Sequence, residues 1–185
     1  MKLSNYIQVF ENIIPLDLCD RIIEEYESTK IWRSASIKDG SVDKKIRSVN
    51  TIPISCDDVI SQNTNSRKEI DTYLFRSAAV AVGRYTEMFP ASRIEEDSGY
   101  ELLRYGEGDF YIQHTDSFKG ASRSVSCSFL LNDEYEGGDF GFFDKELKIK
   151  VPKGCALMFP SNFMYPHEVL PVTKGTRYSI ITWFV

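Results

Sequence analysis

No apolar run in this 185-residue chain approaches the roughly 18–20 residues that would cross a bilayer, so no membrane-spanning helix is expected. The opening MKLSNYIQVFENIIP lacks the long apolar stretch and small-residue cleavage site of a secretory signal, and an intracellular location is the expectation. Cysteine is sparse and scattered: Cys19, Cys56, Cys127 and Cys155 form no CxxC pair, which argues for reduced, mostly buried thiols rather than a disulfide or zinc framework. Basic excess is also missing, since 22 Lys and Arg stand against 27 Asp and Glu, for a net charge of −5. Nothing therefore favours a nucleic-acid backbone as partner, although Lys44, Lys45 and Arg47 form a local basic patch. No repeat, low-complexity tract or linker divides the chain. With 42% hydrophobic and 26% charged residues, it reads as one soluble globular domain over residues 1–185.

Within that domain the first half is helical in texture. From Leu16 to about Lys30, apolar residues at Leu18/Cys19, Ile22/Ile23 and Tyr26 make one greasy helical face, entered through Pro15. A second helix is expected from about Arg67 to Met88, with Ile70, Tyr73/Leu74, Ala78, Ala81/Val82 and Tyr85 inward. Ser66-Arg67-Lys68-Glu69 reads as its capping box and Pro90 as its stop. The polar stretch between them holds strand-like pieces at Ile52 and Ile54 and a loop around Ile37–Arg47 suited to a mobile cover. After Gly99 the texture turns to short strands punctuated by Gly, Asn-Asp and Pro. These are Tyr100–Tyr105, Phe110–Thr115, Ser122–Leu131, Phe140–Phe143, Leu147–Val151, Ala156–Phe159 and Arg177–Val185. Such spacing predicts an antiparallel sandwich or barrel, covered on one sheet by the helices.

The chemistry centres on the only two histidines, His114 and His167. His114 ends a strand-like run, and residues i and i+2 of a strand share a face, so His114 and Asp116 point together while Thr115 turns away. With His167 from another strand, two imidazoles and a carboxylate leave three positions open on an octahedral ion, the arrangement of non-haem iron(II) centres. His-x-Asp by itself is weak evidence, and a lone histidine is as readily structural, so the surroundings matter more.

In Arg177-Tyr178-Ser179-Ile180-Ile181-Thr182-Trp183, the arginine shares a strand face with Ser179, Ile181 and Trp183. An arginine inside a small barrel is costly unless it meets an anion. A dicarboxylate ligand would satisfy it by a forked pairing, with Ser179 adding a hydrogen bond; an internal ion pair or a surface position would also satisfy it. In Arg123–Leu131, Val125, Cys127, Phe129 and Leu131 suit packing against the helices. Ser124, Ser126, Ser128 and Leu130 suit either a roomy cup or a solvated face.

These residues together resemble the prolyl 4-hydroxylase-like branch of the 2-oxoglutarate/Fe(II) oxygenases. The carriers are Tyr105-x-x-Gly108-x-x-Tyr111-x-x-His114-x-Asp116, then Leu131-Asn132 with Tyr135-Glu136-Gly137-Gly138-Asp139-Phe140. They continue in Pro152-x-Gly154-x-x-Leu157-x-Phe159-Pro160 and in His167-x-Val169-x-Pro171-Val172-x-x-Gly175-x-Arg177-Tyr178-Ser179. Trp32 and Arg47-Ser48 weakly resemble the family's loop over its active site. The resemblance implies a mainly β double-stranded β-helix (jelly roll) over 99–185, with a helical support and cover over 1–98. It implies Fe(II) held by His114, Asp116 and His167, and 2-oxoglutarate as cosubstrate on Arg177, with Tyr105, Ser179 and Ser126 nearby. O₂ is the oxidant, and ascorbate a candidate reductant. Leu130 replaces a tyrosine that some relatives use on the cosubstrate, and Tyr105 is alternatively a core aromatic. The intact carboxylate, Asp116, favours hydroxylation over halogenation. Trp183, six residues past Arg177, stands where nucleic-acid repair relatives carry a second arginine. The expected substrate is a peptidyl proline or similar side chain, the alternatives being a free amino acid or other small molecule, or a non-catalytic β-barrel binding module.

Overall fold

Alternation of side chains along the second half builds two antiparallel sheets that face one another, and the helical first half closes the outside of the larger one. The computed structural model describes residues 2–55 and 65–185; Cys56 lies outside them. A 3-10 turn at Leu3–Tyr6 leads into β1 (Gln8–Phe10), α1 (Leu16–Glu27), β2 (Arg33–Ser34), β3 (Arg47–Ser48), β4 (Asn50–Pro53) and α2 (Ser66–Met88). There follow β5 (Glu101–Tyr105), β6 (Phe110–His114), β7 (Val125–Leu130), β8 (Glu136–Gly137), β9 (Phe140–Phe142) and β10 (Leu147–Ile149). The chain ends with β11 (Ala156–Pro160), β12 (His167–Val169), β13 (Val172–Lys174) and β14 (Arg177–Phe184). The larger sheet has seven strands in the order β1-β11-β7-β14-β5-β4-β2, and the smaller has five, β10-β9-β12-β6-β3, with β13-β8 a separate ribbon. This is the double-stranded β-helix with helices on its major sheet.

The parity of β7 divides the core as the sequence suggests. Val125, Cys127 and Phe129 join Leu18, Cys19, Ile22 and Tyr26 of α1 and Ile70, Leu74, Ala78, Ala81 and Tyr85 of α2 in one apolar cluster. Leu130, on the opposite face, joins Tyr105, Phe140, Phe142, Leu157 and Phe159 in a second cluster between the sheets. Each helix therefore buries its stripe on the back of the sheet whose front carries the site. Phe129 is fully buried in the first cluster. Phe129→Ala is expected to destabilise the protein by about 3–5 kcal/mol, the cost of an aromatic-sized cavity, read as a lower urea midpoint.

Some local expectations fail for identifiable reasons. Ser66 is already helical and no side chain caps the start of α2; Glu69, the other half of the expected capping box, is instead paired with Arg21 at 2.5 Å. Tyr73 is 43% exposed, and the inner face of α2 holds Arg67 and Ser77 instead. Arg67 is drawn in by Glu25, at 2.9 Å, and its guanidinium lies over the Tyr26 ring. Among the described residues no helix is long and apolar enough to cross a membrane. The free cysteines Cys19, Cys127 and Cys155 are buried, and burial pushes the Cys19 thiol up to about 12, so it stays protonated and inert.

Candidate metal and cosubstrate centre

β6 and β12 are neighbours in the smaller sheet, and their register sets His114 opposite His167. Asp116, just past the end of β6, returns to the face of His114. The ligating atoms of the three residues all lie within 4.8 Å of one another. His114 Nε2 is 3.4 Å from Asp116 Oδ1, and His167 Nε2 is 3.5 Å from Asp116 Oδ2. The far ring nitrogens are tied to the backbone, His114 Nδ1 to the Ile112 carbonyl at 2.8 Å and His167 Nδ1 to the Tyr165 carbonyl at 3.1 Å. A neutral imidazole that donates through Nδ1 presents a lone pair at Nε2, so both rings are set as metal ligands. Two lone pairs facing a carboxylate repel one another unless a cation sits among them. The donor set thus fits a divalent metal with imidazole and carboxylate preference.

Charge states support that reading. Burial pushes His167 down to about 4, against the pull of the Asp116 carboxylate. Burial would raise Asp116, but the charge the imidazoles carry when protonated and the Ser126 hydroxyl, which donates to Oδ2 at 2.6 Å, outweigh it and hold it below the ordinary carboxylate range. His167 is therefore neutral and Asp116 ionised at neutral pH. A group with a depressed folded pKa binds its proton more readily in the unfolded chain. The metal-free protein is accordingly expected to keep its full stability above about pH 6.5 and to lose it as pH falls from there towards 4, with Asp116 adding to the loss below its ordinary value of 3.8. Urea midpoints in chelator at pH 7, 6 and 5 should fall in that order; a flat series would contradict a buried, neutral His167.

The three residues line a cavity of about 480 Å³ between the sheets, with Arg177, Ser179, Tyr105, Phe140 and Val169 also in its wall. Arg177 is 1% exposed, and its Nη1 donates to Ser179 Oγ at 2.8 Å. Its Nε and Nη2 are buried without a hydrogen-bond partner. The guanidinium is boxed by the rings of Tyr105 and Phe140, at 5.1 and 5.0 Å, and the Tyr135 phenol lies near enough to feel its charge. Two unsatisfied donors side by side on a buried cation fit a carboxylate. Gly138 makes room: its φ is +66°, and a Cβ there would stand 2.9 Å from Arg177 Cδ.

Register places Tyr105 opposite Arg177 across β5 and β14, beside the guanidinium as expected. Ser126 is elsewhere. It pairs with Trp183, whereas Ser179 pairs with Leu130, so along β14 Ser126 and Ser179 are separated by four residues, about 13 Å. Ser126 does not line the cavity; its hydroxyl joins Asp116 and Ser161, at 2.6 and 2.8 Å. It braces the carboxylate rather than the cosubstrate end. Residues 33–38, Gly40, Val42 and Arg47 line the cavity, so the loop expected around Ile37–Arg47 borders it in part, together with the residues just before it. Sequence reasoning missed Tyr111, stacked on His114 at 3.5 Å between centroids, and Arg123, which lies 3.6 Å over the Trp183 ring. The only signal for Tyr111 was its place three residues before His114 in the first motif.

Residues 100–185 match the family model of the 2OG-Fe(II) oxygenase superfamily. Over 171 residues the chain is 26% identical to mouse procollagen-lysine,2-oxoglutarate 5-dioxygenase 1, covering 89% of this chain and 22% of that protein. Over 86 residues it is 40% identical to a PKHD-type hydroxylase of Picosynechococcus sp., covering 43% of this chain and 38% of that protein. The chain thus spans well under half the length of these curated relatives. In structure it is similar to a prolyl hydroxylase from Trichoplax adhaerens, solved in complex with a hypoxia inducible factor oxygen degradation domain peptide fragment. That TM-score is 0.80 at 21% identity, covering 98% of this chain and 84% of the other. A Pseudomonas putida prolyl-4-hydroxylase gives a TM-score of 0.71 at 20% identity, covering 97% and 91%. The fold is shared with both.

Proposed function

We propose, from the match of residues 100–185 to the family model of the 2OG-Fe(II) oxygenase superfamily, that this chain is an Fe(II)- and 2-oxoglutarate-dependent dioxygenase that hydroxylates a C–H bond of a peptidyl proline or similar side chain. One observation carries the reading. Three ligand atoms within 4.8 Å of one another share a cavity with a buried guanidinium that has two donors to spare. A non-catalytic binding module has no need of both. Residues 1–185 act as one oxygenase unit in this reading, the helices bracing the sheet that carries Arg177.

Fe(II) and 2-oxoglutarate, when bound, supply the oxidative chemistry, in which decarboxylation to succinate and CO₂ accompanies transfer of one oxygen atom of O₂ to the substrate. His114, Asp116 and His167 would hold the metal on one side only, leaving the cavity side for cosubstrate and O₂. Arg177 would receive the far carboxylate through Nε and Nη2, with Ser179 fixing the guanidinium through Nη1 and the Tyr105 hydroxyl close by. Ser126 holds Asp116 in place through a short hydrogen bond, itself tied to Ser161. Phe140, Val169 and Ile181 add apolar wall to the cavity and help exclude water. Residues 33–38, Gly40 and Val42 also line the cavity, where Tyr111 and Trp183 offer flat walls to a substrate ring. That a prolyl hydroxylase of this fold is known with a peptide bound supports a peptide substrate. The test is succinate formation from 2-oxoglutarate with added Fe(II), with and without proline-containing peptides, with mass spectrometry for a gain of one oxygen. Turnover stimulated by no peptide would remove the peptide reading, and failure to bind either Fe(II) or 2-oxoglutarate would remove the enzyme reading.

A further inference from the structure

The polar lining of the cavity is unbalanced. Five cationic side chains line it, Arg33, Lys38, Arg47, Arg123 and Arg177, against two carboxylates, Asp116 and Glu101. This happens in a chain with more acid than base. Elsewhere Arg21, Arg67, Arg104, Lys145, Lys153 and Lys174 meet a carboxylate, six of the seventeen cations outside the cavity. Among the described residues none of the five cavity cations does.

If Arg177 is assigned to 2-oxoglutarate, four remain around the mouth, and their other contacts leave capacity free. Arg47 donates through Nη1 to the Ser36 carbonyl at 2.8 Å and lies over Tyr111 at 4.9 Å, but its Nε is buried without a partner. Arg123 is stacked on Trp183, lies 5.7 Å from the Phe118 ring centroid and donates to the Asp116 carbonyl at 3.3 Å; it feels the charges of Asp116 and Glu101 but forms no ion pair with either. Lys38 meets Thr115 Oγ1 at 3.4 Å and the Phe118 ring at 5.4 Å. Arg33 is exposed, and its side chain makes no hydrogen bond or ion pair among the described residues. The Trp183 indole N–H, also in the wall, is buried and unpartnered. Every orphaned buried side-chain polar atom that lines this cavity, among the described residues, is thus an N–H donor.

Resting on the oxygenase reading above, we infer that the prime substrate is anionic, carrying a carboxylate beside the hydroxylated carbon that settles among Arg33, Lys38, Arg47 and Arg123. A donor-rich, partly desolvated rim is satisfied by such a group and repels a cationic one, which gives selectivity and faster encounter. The carboxylate can belong to an Asp or Glu flanking the target residue in a peptide, or to a free amino acid.

The experiment uses fluorescein-labelled proline peptides of one length, bearing Asp, Asn or Lys on either side of the proline. Binding to the metal-free protein is read by anisotropy, and turnover by succinate release from the Fe(II)-loaded protein. Unlabelled proline and its amide compete in the second arm, and single-stranded oligothymidylate in the third. The Asp peptide, or free proline over its amide, is expected to bind at least about tenfold more tightly at low salt, with the gap shrinking at high salt. The double variant Arg33→Glu/Lys38→Glu should lose that preference, its folding verified by the thermal shift that 2-oxoglutarate produces. Equal affinity for Asp and Asn peptides together with equal affinity for proline and its amide overturns the proposal. So does a preference unchanged in the double variant, or tighter binding of the oligonucleotide than of any carboxylate. Loss of the 2-oxoglutarate thermal shift in the unmodified protein would instead strike the oxygenase reading itself.

Discussion

Arg177→Met removes the response of the protein to 2-oxoglutarate while making the cosubstrate-free fold more stable, not less. Both halves follow from the same observation. The guanidinium is 1% exposed, and two of its three nitrogens have no acceptor. A buried cation without a partner costs several kcal/mol, and an apolar side chain of similar length in its place relieves that cost. Phe140, Tyr105, Val172 and the rest of the inter-sheet cluster would pack on a methionine well. The expected change in the absence of 2-oxoglutarate is a gain of about 1–3 kcal/mol, read as a higher melting temperature. With 2-oxoglutarate the order should reverse, because the native protein gains ligand stabilisation and the variant does not. A forked charge-assisted pair is worth about 2–4 kcal/mol, so the 2-oxoglutarate KM should rise by roughly 30- to 1,000-fold, with iron binding retained. An unchanged KM would place the cosubstrate elsewhere.

His167→Ala abolishes stoichiometric metal binding and with it all 2-oxoglutarate turnover, a loss of at least about a thousandfold. His167 is buried at the register position facing His114, and no other Cys, His, Asp or Glu among the described residues joins the cluster to replace it. Two ligands cannot hold a labile ferrous ion at the micromolar concentrations of an assay. Bound iron per chain after desalting, measured beside turnover, separates this loss from misfolding. Undiminished iron in the variant would show that His167 is structural.

Much of the site was legible because strand parity is a strong constraint. His114 and Asp116, and Arg177 with Ser179, share faces by the period of two, and the structure puts each pair on the cavity. Parity names a face but not a height along the strand. Ser126 faces the right side and yet sits below Asp116, four positions along β14 from Ser179. Strands β2, β3, β8, β12 and β13, which the sequence did not announce, span two or three residues, and His167 was singled out as the second histidine without the bounds of its strand. The capping box failed because Glu69 had a better partner in Arg21, a tertiary contact invisible in a local motif. The cationic mouth escaped notice for a similar reason. Arg33, Lys38, Arg47 and Arg123 belong to separate segments, and the net charge of −5 points the other way.

The central claim is that one ferrous ion and one 2-oxoglutarate share this cavity, gripped by His114, Asp116, His167 and Arg177. Anaerobic equilibrium dialysis of the metal-free protein against Fe(II) and 2-oxoglutarate tests it most directly, run beside Asp116→Ala and Arg177→Met. The account predicts about one of each bound per chain, loss of the iron in the first variant, and loss of 2-oxoglutarate with iron retained in the second. Iron bound equally well by Asp116→Ala, or 2-oxoglutarate held undiminished by Arg177→Met, would contradict it.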